Sequence, residues 1–348
     1  MVSPSPNTAP RPVRTPTVAD LRAAAGRVAA VLEPTPVLPT ALAPGALLKA
    51  ETLQPTGSFK IRGALAAMAG LPAGAPAVTA SAGNHGLGFA HAAARTGVDA
   101  TVVVSEHASP AKVAKIASYP VDLVRHGADY DAAEAHALSL PGRFVSPYND
   151  PDVIAGQGTI GVELDAQTEG PLTVVVPVGG GGLLAGLALW ASTRDDVRLV
   201  GVESSASRGL SAAVAAGRIV PVEVGDSIAD GLVGNLEPGS VTPGLVAAAD
   251  PVLTHVSDAE IRAAMRWLFT EHGLVAEGSG AAGVAAVLAG KAEPAGRLVV
   301  VLTGRNVTVD TYRQAIAVAD AFWREIKGKS GDIVKRSLNS GSADLRAP

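Results

Sequence analysis

"TVVVPVGGGGLLAG" (residues 173–186) joins a β-branched run to four consecutive glycines and then to an apolar helical pattern. An apolar run without polar alternation belongs to a parallel strand buried on both faces. Glycines let the backbone approach a ligand closely. A helix start offers free N–H groups and the positive end of a dipole. Together they form an anion cradle suited to phosphate. One glycine would serve a tight turn, so four favour the phosphate reading. The same strand, loop and helix rhythm continues outward through "LLKAE" (47–51), "PAVTAS" (76–81), "ATVVVS" (100–105), "VDLVRH" (121–126), "RLVGVE" (198–203) and "RLVVVLTG" (297–304). Strands alternating with helices predict an α/β fold with open, twisted, mostly parallel sheets and helices on both faces.

The first helix is expected from "TVADLRAAAGRVAAVL" (17–32), where Thr17 and Asp20 have capping-box spacing. Punctuation at "LPAGAP" (71–76) and "VSPYNDPD" (145–152) divides the chain softly. The expected organisation is a large domain of 17–75 and 150–326, with a small domain, 76–149, inserted in it. The Pro-rich stretch 1–16 reads as a disordered arm without a secretory signal, and the polar stretch 327–348 as a flexible tail.

Composition narrows the chemistry. The 348 residues contain no cysteine, which excludes disulfides, thiolate nucleophiles and cysteine-based zinc sites. Aromatics make up only 3%, so the core must be built from Ala, Val and Leu. The net charge of −4 comes with no basic block, and nucleic-acid binding has no support. No run approaches the roughly 18 apolar residues of a membrane helix. A soluble cytoplasmic protein is expected.

Three further strings carry candidate chemistry. "TGSFKIRGA" (56–64) sets Lys60 behind a Gly-Ser-Phe turn that leads into an apolar helix. A buried amine loses its charge readily and becomes nucleophilic. "TASAGNHGLGFAHAAA" (79–94) ends a strand in Ser81, Ala82, Gly83, Asn84 and His85, at the start of a helix suited to a carboxylate. His85 alone reads as structural rather than as a base. "VAEGSGAAG" (275–283) carries Glu277 and Ser279, and "RLVVVLTGRN" (297–306) ends in Thr303, Gly304, Arg305 and Asn306. Ligands of open α/β sheets sit beyond the carboxyl ends of strands, so these loops can share one crevice. A rival reading exists. Gly180, Gly182 and Ala185 fit G-x-G-x-x-A, and Glu203 lies near the spacing of about 20 residues of a dinucleotide-binding acid. That would make an NAD-dependent dehydrogenase, which gives no reason for "GSFK".

Taken in order, "GSFKIRGA", "SAGNHG", "DPDVIAGQGT" (150–159), "PVGGGGL" and "EGSGAAGVAA" resemble the fold-type-II pyridoxal-phosphate enzymes. The likeness is to the branch of threonine/serine dehydratases and serine racemases, with the tryptophan-synthase-β-like fold, over roughly residues 17–325. The resemblance implies pyridoxal 5'-phosphate joined to Lys60 as a Schiff base, with Phe59 against its ring. It places the phosphate on Gly179, Gly180, Gly181, Gly182 and Leu183. Asn84 would bind the phenolic oxygen and Thr303 the pyridine nitrogen, with Gly231 and Glu277 adjoining the ring. Ser58, Ser81, Ala82, Gly83, Asn84 and His85 would surround the substrate. The implied reaction removes water and then ammonia from L-threonine, L-serine or another β-hydroxy amino acid such as 3-hydroxyaspartate. A homodimer is implied too. Racemases of this branch carry a serine where this chain has Ala82, and a methyl cannot carry a proton. Some relatives bind a divalent cation through the glutamate matching Glu203. Here Ser207, Arg208 and Gly209 follow, and no metal is expected.

Overall fold

A computed structural model describes residues 11–317. The strands are β1 (Val37–Pro39), β2 (Leu47–Lys49), β3 (Ala77–Ala80), β4 (Ala100–Val104), β5 (Asp122–Arg125), β6 (Arg143–Phe144), β7 (Leu172–Pro177), β8 (Val197–Ser204), β9 (Val252–Val256) and β10 (Arg297–Val301). The helices are α1 (Val18–Ala29), α2 (Lys60–Met68), α3 (Asn84–Thr96), α4 (Pro110–Ala117), α5 (Tyr130–Ser139), α6 (Pro151–Gln167), α7 (Gly182–Ala191), α8 (Gly209–Ala216), α9 (Thr242–Ala248), α10 (Asp258–His272), α11 (Gly278–Leu288) and α12 (Val309–Ala317). Six strands form one sheet in the order β1-β2-β10-β7-β8-β9, and four form a second in the order β5-β4-β3-β6. Only β1 pairs antiparallel, against β2; the remaining pairs are parallel.

Alternation along each strand divides its side chains between two helical layers. Val174, Val176 and Val299 pack with Ile160, Leu164, Leu187 and Trp190 of α6 and α7. Val175, Val200 and Val300 pack with Ile261, Leu268, Ala281 and Val284 of α10 and α11. The four-stranded sheet repeats the scheme. Val102 and Val104 face Ile61, Leu65 and Phe89 of α2 and α3, whereas Val78 and Val103 face Ala133 and Ala137 of α5. Helix α2, which begins at Lys60, thus packs under the second sheet.

Helices α6 and α7 meet backbone to backbone. A Cβ on Gly158 would lie 2.4 Å from the carbonyl oxygen of Gly186, so neither position has room for a side chain. At the chain's first helix, Thr17 and Asp20 form the expected reciprocal capping box. Of the arm expected over 1–16, residues 11–16 are described. Arg11 donates to the carbonyl of Asn149 at 2.9 Å, and Arg14 pairs with Asp20 at 2.8 Å. The tail expected over 327–348 lies outside the described residues.

A buried ion cluster fixes α2 from behind. Arg62, two residues after Lys60, donates from Nε to Glu51 Oε2 at 2.8 Å and from Nη2 to Glu163 Oε2 at 2.9 Å. Lys49 Nζ donates to the carbonyl of Thr35 at 2.7 Å and pairs with Glu163. Arg62, Lys49 and Glu51 are fully buried. Burial pushes the Glu51 carboxyl up, but the charge and hydrogen bonds of Arg62 reverse this and hold it below its ordinary value. The cluster ties α2 to β2 and α6 together.

Candidate active site

The loops after β3, β7 and β10 converge where the two sheets meet. Lys60 opens α2, and its Nζ donates to the carbonyl of Pro147 at 2.7 Å. It forms no ion pair among the described residues. Burial alone lowers the amine to about 8. Phe59 precedes it, with its ring centroid 5.2 Å from Lys60 Nζ, and its N–H donates to the carbonyl of Thr303 at 3.0 Å. Ser58 bridges to Gly304, and its fully buried hydroxyl has no partner among the described residues.

The glycine loop lies beside this amine. Tyr148, next to Pro147, covers Gly180 and Gly182. A Cβ on Gly180 would be 2.4 Å from the Tyr148 ring, and one on Gly182 would be 2.8 Å from the Tyr148 carbonyl oxygen. Gly179 abuts the carbonyl of Gly231 at 2.7 Å by the same measure. Gly181 has φ +83° and caps α7, so only glycine takes that backbone without strain. Leu183 points into the core, so its backbone is what it offers to a ligand. Gly231 N–H donates to Ser279 Oγ at 3.0 Å, which fixes its loop against the start of α11.

Opposite lies the Ser81 to His85 loop. Gly83 N–H donates to Ser81 Oγ at 3.2 Å. Ala82, in the same loop, is half-buried and packs against the core beneath the second sheet. Asn84 begins α3, and its Nδ2 donates to Glu277 Oε1 at 2.6 Å. Burial raises the Glu277 carboxyl to about 7, against the lowering effect of the Asn84 hydrogen bond. His85 is buried, and its Nε2 lies 3.1 Å from the carbonyl of Val145. Burial first, and then the charge of Lys60, lower His85 to about 3, so its ring is neutral near pH 7. Thr303 is a buried residue just past the end of β10, and its hydroxyl makes no hydrogen bond among the described residues.

This arrangement offers an amine without counter-charge, an anion cradle on a helix start, a directed amide and a free hydroxyl. The sequence profile described as "Pyridoxal-phosphate dependent enzyme" matches residues 28–304. The chain belongs to this family. Pyridoxal phosphate is accordingly its cofactor. Among curated relatives, the L-threonine ammonia-lyase of Thermotoga maritima is 39% identical over 278 residues, covering 77% of this chain and 69% of the relative. Among solved structures, the T.th. threonine deaminase superposes with a TM-score of 0.78 at 38% identity, covering 84% of this chain and 99% of that one. The serine racemase of Dictyostelium discoideum superposes with a TM-score of 0.78 at 29% identity, covering 85% and 100%. The chain is thus a fold-type-II pyridoxal-phosphate enzyme, and the nicotinamide reading of Gly180, Gly182 and Ala185 falls.

The site fits this family's cofactor on its own geometry. The glycine loop has no room for side chains; among the described residues the buried Ser58 hydroxyl has no partner, and the Lys60 amine meets a carbonyl but no carboxylate. Glu203, which matches the cation-binding glutamate of some relatives, caps α8 by accepting from Leu210 N at 2.9 Å and from Ser211. Arg305 is exposed, and nothing in the structure explains its side chain. Two contributors went unrecognised in the sequence. Tyr148 sat in a stretch read as punctuation, and Asn306 closed a quoted string without a role.

Proposed function

We propose that this enzyme is an ammonia-lyase that dehydrates a β-hydroxy amino acid such as L-threonine or L-serine, releasing ammonia and a 2-keto acid. Lys60 carries the reading, because its amine is held by a single neutral carbonyl within reach of a phosphate cradle. Lys60 would hold the cofactor's aldehyde carbon, and Gly179 to Leu183 its phosphate. Asn84 would hold its phenolic oxygen and Thr303 its ring nitrogen. When bound, pyridoxal phosphate supplies an electron sink for negative charge at the substrate Cα.

The chain's own residues account for the rest. N–H groups of the Ser81 to His85 loop, at the start of α3, bind the substrate carboxylate. Once displaced by the substrate amine, Lys60 Nζ takes the Cα proton. An amine lowered to about 8 is a competent base near neutral pH. Thr303 offers a neutral hydroxyl, which does not force a proton onto the ring nitrogen as a carboxylate would. That limits the lifetime of charge at Cα and favours loss of the β-hydroxyl. The names of the ammonia-lyase and deaminase relatives agree with this outcome. Serine racemisation is the second reading, from the Dictyostelium structure, and Ala82 opposes it because the far face of Cα meets a methyl. We also infer a cytoplasmic homodimer from the family resemblance.

The test is a keto-acid and ammonia assay over a panel of β-hydroxy amino acids, with Lys60→Ala as control. Turnover of threonine or serine that is lost in the control supports the proposal. Equal activity in the control contradicts it.

A further inference from the structure

We propose that Asn306 is a positioning residue: it fixes the orientation of the Asn84 amide and thereby aims an N–H of Asn84 at the cofactor. The proposal rests on the reading of Asn84 as the amide that holds the phenolic oxygen.

A carboxamide side chain presents an oxygen or a nitrogen depending on how it is turned, and its hydrogen-bond partners decide which. Asn306 Nδ2 lies 2.8 Å from the carbonyl oxygen of Thr56. A backbone carbonyl only accepts, so the Asn306 amide has one allowed orientation. The same Nδ2 lies 2.8 Å from Asn84 Oδ1. Asn84 must therefore present its oxygen to Asn306 and its nitrogen to Glu277 Oε1, which accepts at 2.6 Å. Turning Asn84 over would set N–H against N–H and oxygen against a carboxylate. Both N–H groups of Asn306 are used, and one of the two on Asn84. The remaining Asn84 N–H is the one left for a ligand.

The lysine loop makes room for this chain of bonds. Gly57 has φ +74°, and a Cβ there would lie 2.8 Å from Asn306 Oδ1. Thr56 and Gly57 belong to the turn that delivers Lys60. One side chain therefore keeps the amine loop and the amide loop in register.

The experiment is a double-mutant cycle on the cofactor affinity of the stripped full chain, titrated with pyridoxal phosphate. Asn306→Asp keeps the shape and removes the donor; Asn306→Ser, which cannot reach both acceptors, decides the matter if the first variant does not fold. Each is made alone and with Asn84→Ala. Loss of a directed hydrogen bond predicts a drop of about fivefold or more for the Asn306 variant alone. Within the Asn84→Ala background the same change should alter affinity by less than about twofold, because groups acting through one another are not additive. Equal losses in both backgrounds, or no loss in the parent, overturn the proposal. An Asn84→Ala chain that binds the cofactor like the parent instead overturns the reading of Asn84 on which it rests.

Discussion

Lys60 Nζ donates to the carbonyl of Pro147 at 2.7 Å, and no carboxylate faces it among the described residues. Most lysines placed away from water in folded proteins are paired with an acid, as Lys49 is with Glu163. The contrast separates the two buried lysines of this chain. Burial lowers both amines, but at Lys49 the charges of Glu163 and Glu51 oppose it, whereas at Lys60 no charge among the described residues does.

Reactivity of the amine should track that difference. Below about 8 the Lys60 amine carries a proton and cannot attack an aldehyde; above it the amine is neutral. The rate at which pyridoxal phosphate is captured by the stripped chain, followed by visible absorbance, should therefore rise with pH through about 8. A midpoint near the ordinary lysine value of 10.5 would show that burial does not act on this amine.

The glycine cradle should tolerate no methyl at Gly180. Its Cβ would sit 2.4 Å from the Tyr148 ring, which is wedged against the loop. Gly180→Ala should weaken cofactor affinity about tenfold or more, a loss on the order of 1.4 kcal/mol. Gly244→Ala, in α9 with open space around it, is the control and should leave affinity unchanged. Parent-like binding by Gly180→Ala would mean that the loop does not hold the phosphate.

Arg62→Leu should destabilise the fold. Among the described residues it leaves Lys49 as the one cation of the cluster beside the buried Glu51 and half-buried Glu163. Removing one member of a buried pair costs about 3–5 kcal/mol, measurable as the change in free energy of urea unfolding. A change below about 1 kcal/mol, the range of an exposed pair, would show that the cluster is solvated.

Ala82→Ser should restore a proton carrier on the far face of the substrate. The ratio of racemisation to elimination on L-serine, read by chiral chromatography, is expected to rise about tenfold or more, since positioned acid–base groups contribute on that order. An unchanged ratio would place Ala82 away from the substrate Cα.

Much of the fold was legible because its strands are buried on both faces. Each of the seven apolar runs forms a strand, from β2 to β10. The three unread strands have weak signals for physical reasons. Strand β1 has three residues and ends in Pro39, β6 has two residues, and β9 carries Thr254 and His255. The ion cluster behind α2 was invisible because Lys49 and Glu163 are 114 residues apart, and composition alone puts such residues on the surface. Lys60, Asn84 and the glycine loop stood out because each follows a strand end in an unusual local string. Tyr148 and Asn306 act through contacts made only on folding. A tyrosine against a glycine loop, or an amide anchored on a distant carbonyl, leaves no periodic trace.

Reduction of the cofactor-loaded enzyme with borohydride, followed by peptide mapping, locates the lysine that carries the cofactor. A pyridoxyl group on Lys60, within the peptide carrying "GSFK", is the predicted result. Labelling of another lysine, or none on cofactor-saturated protein, would mean that Lys60 does not hold the cofactor.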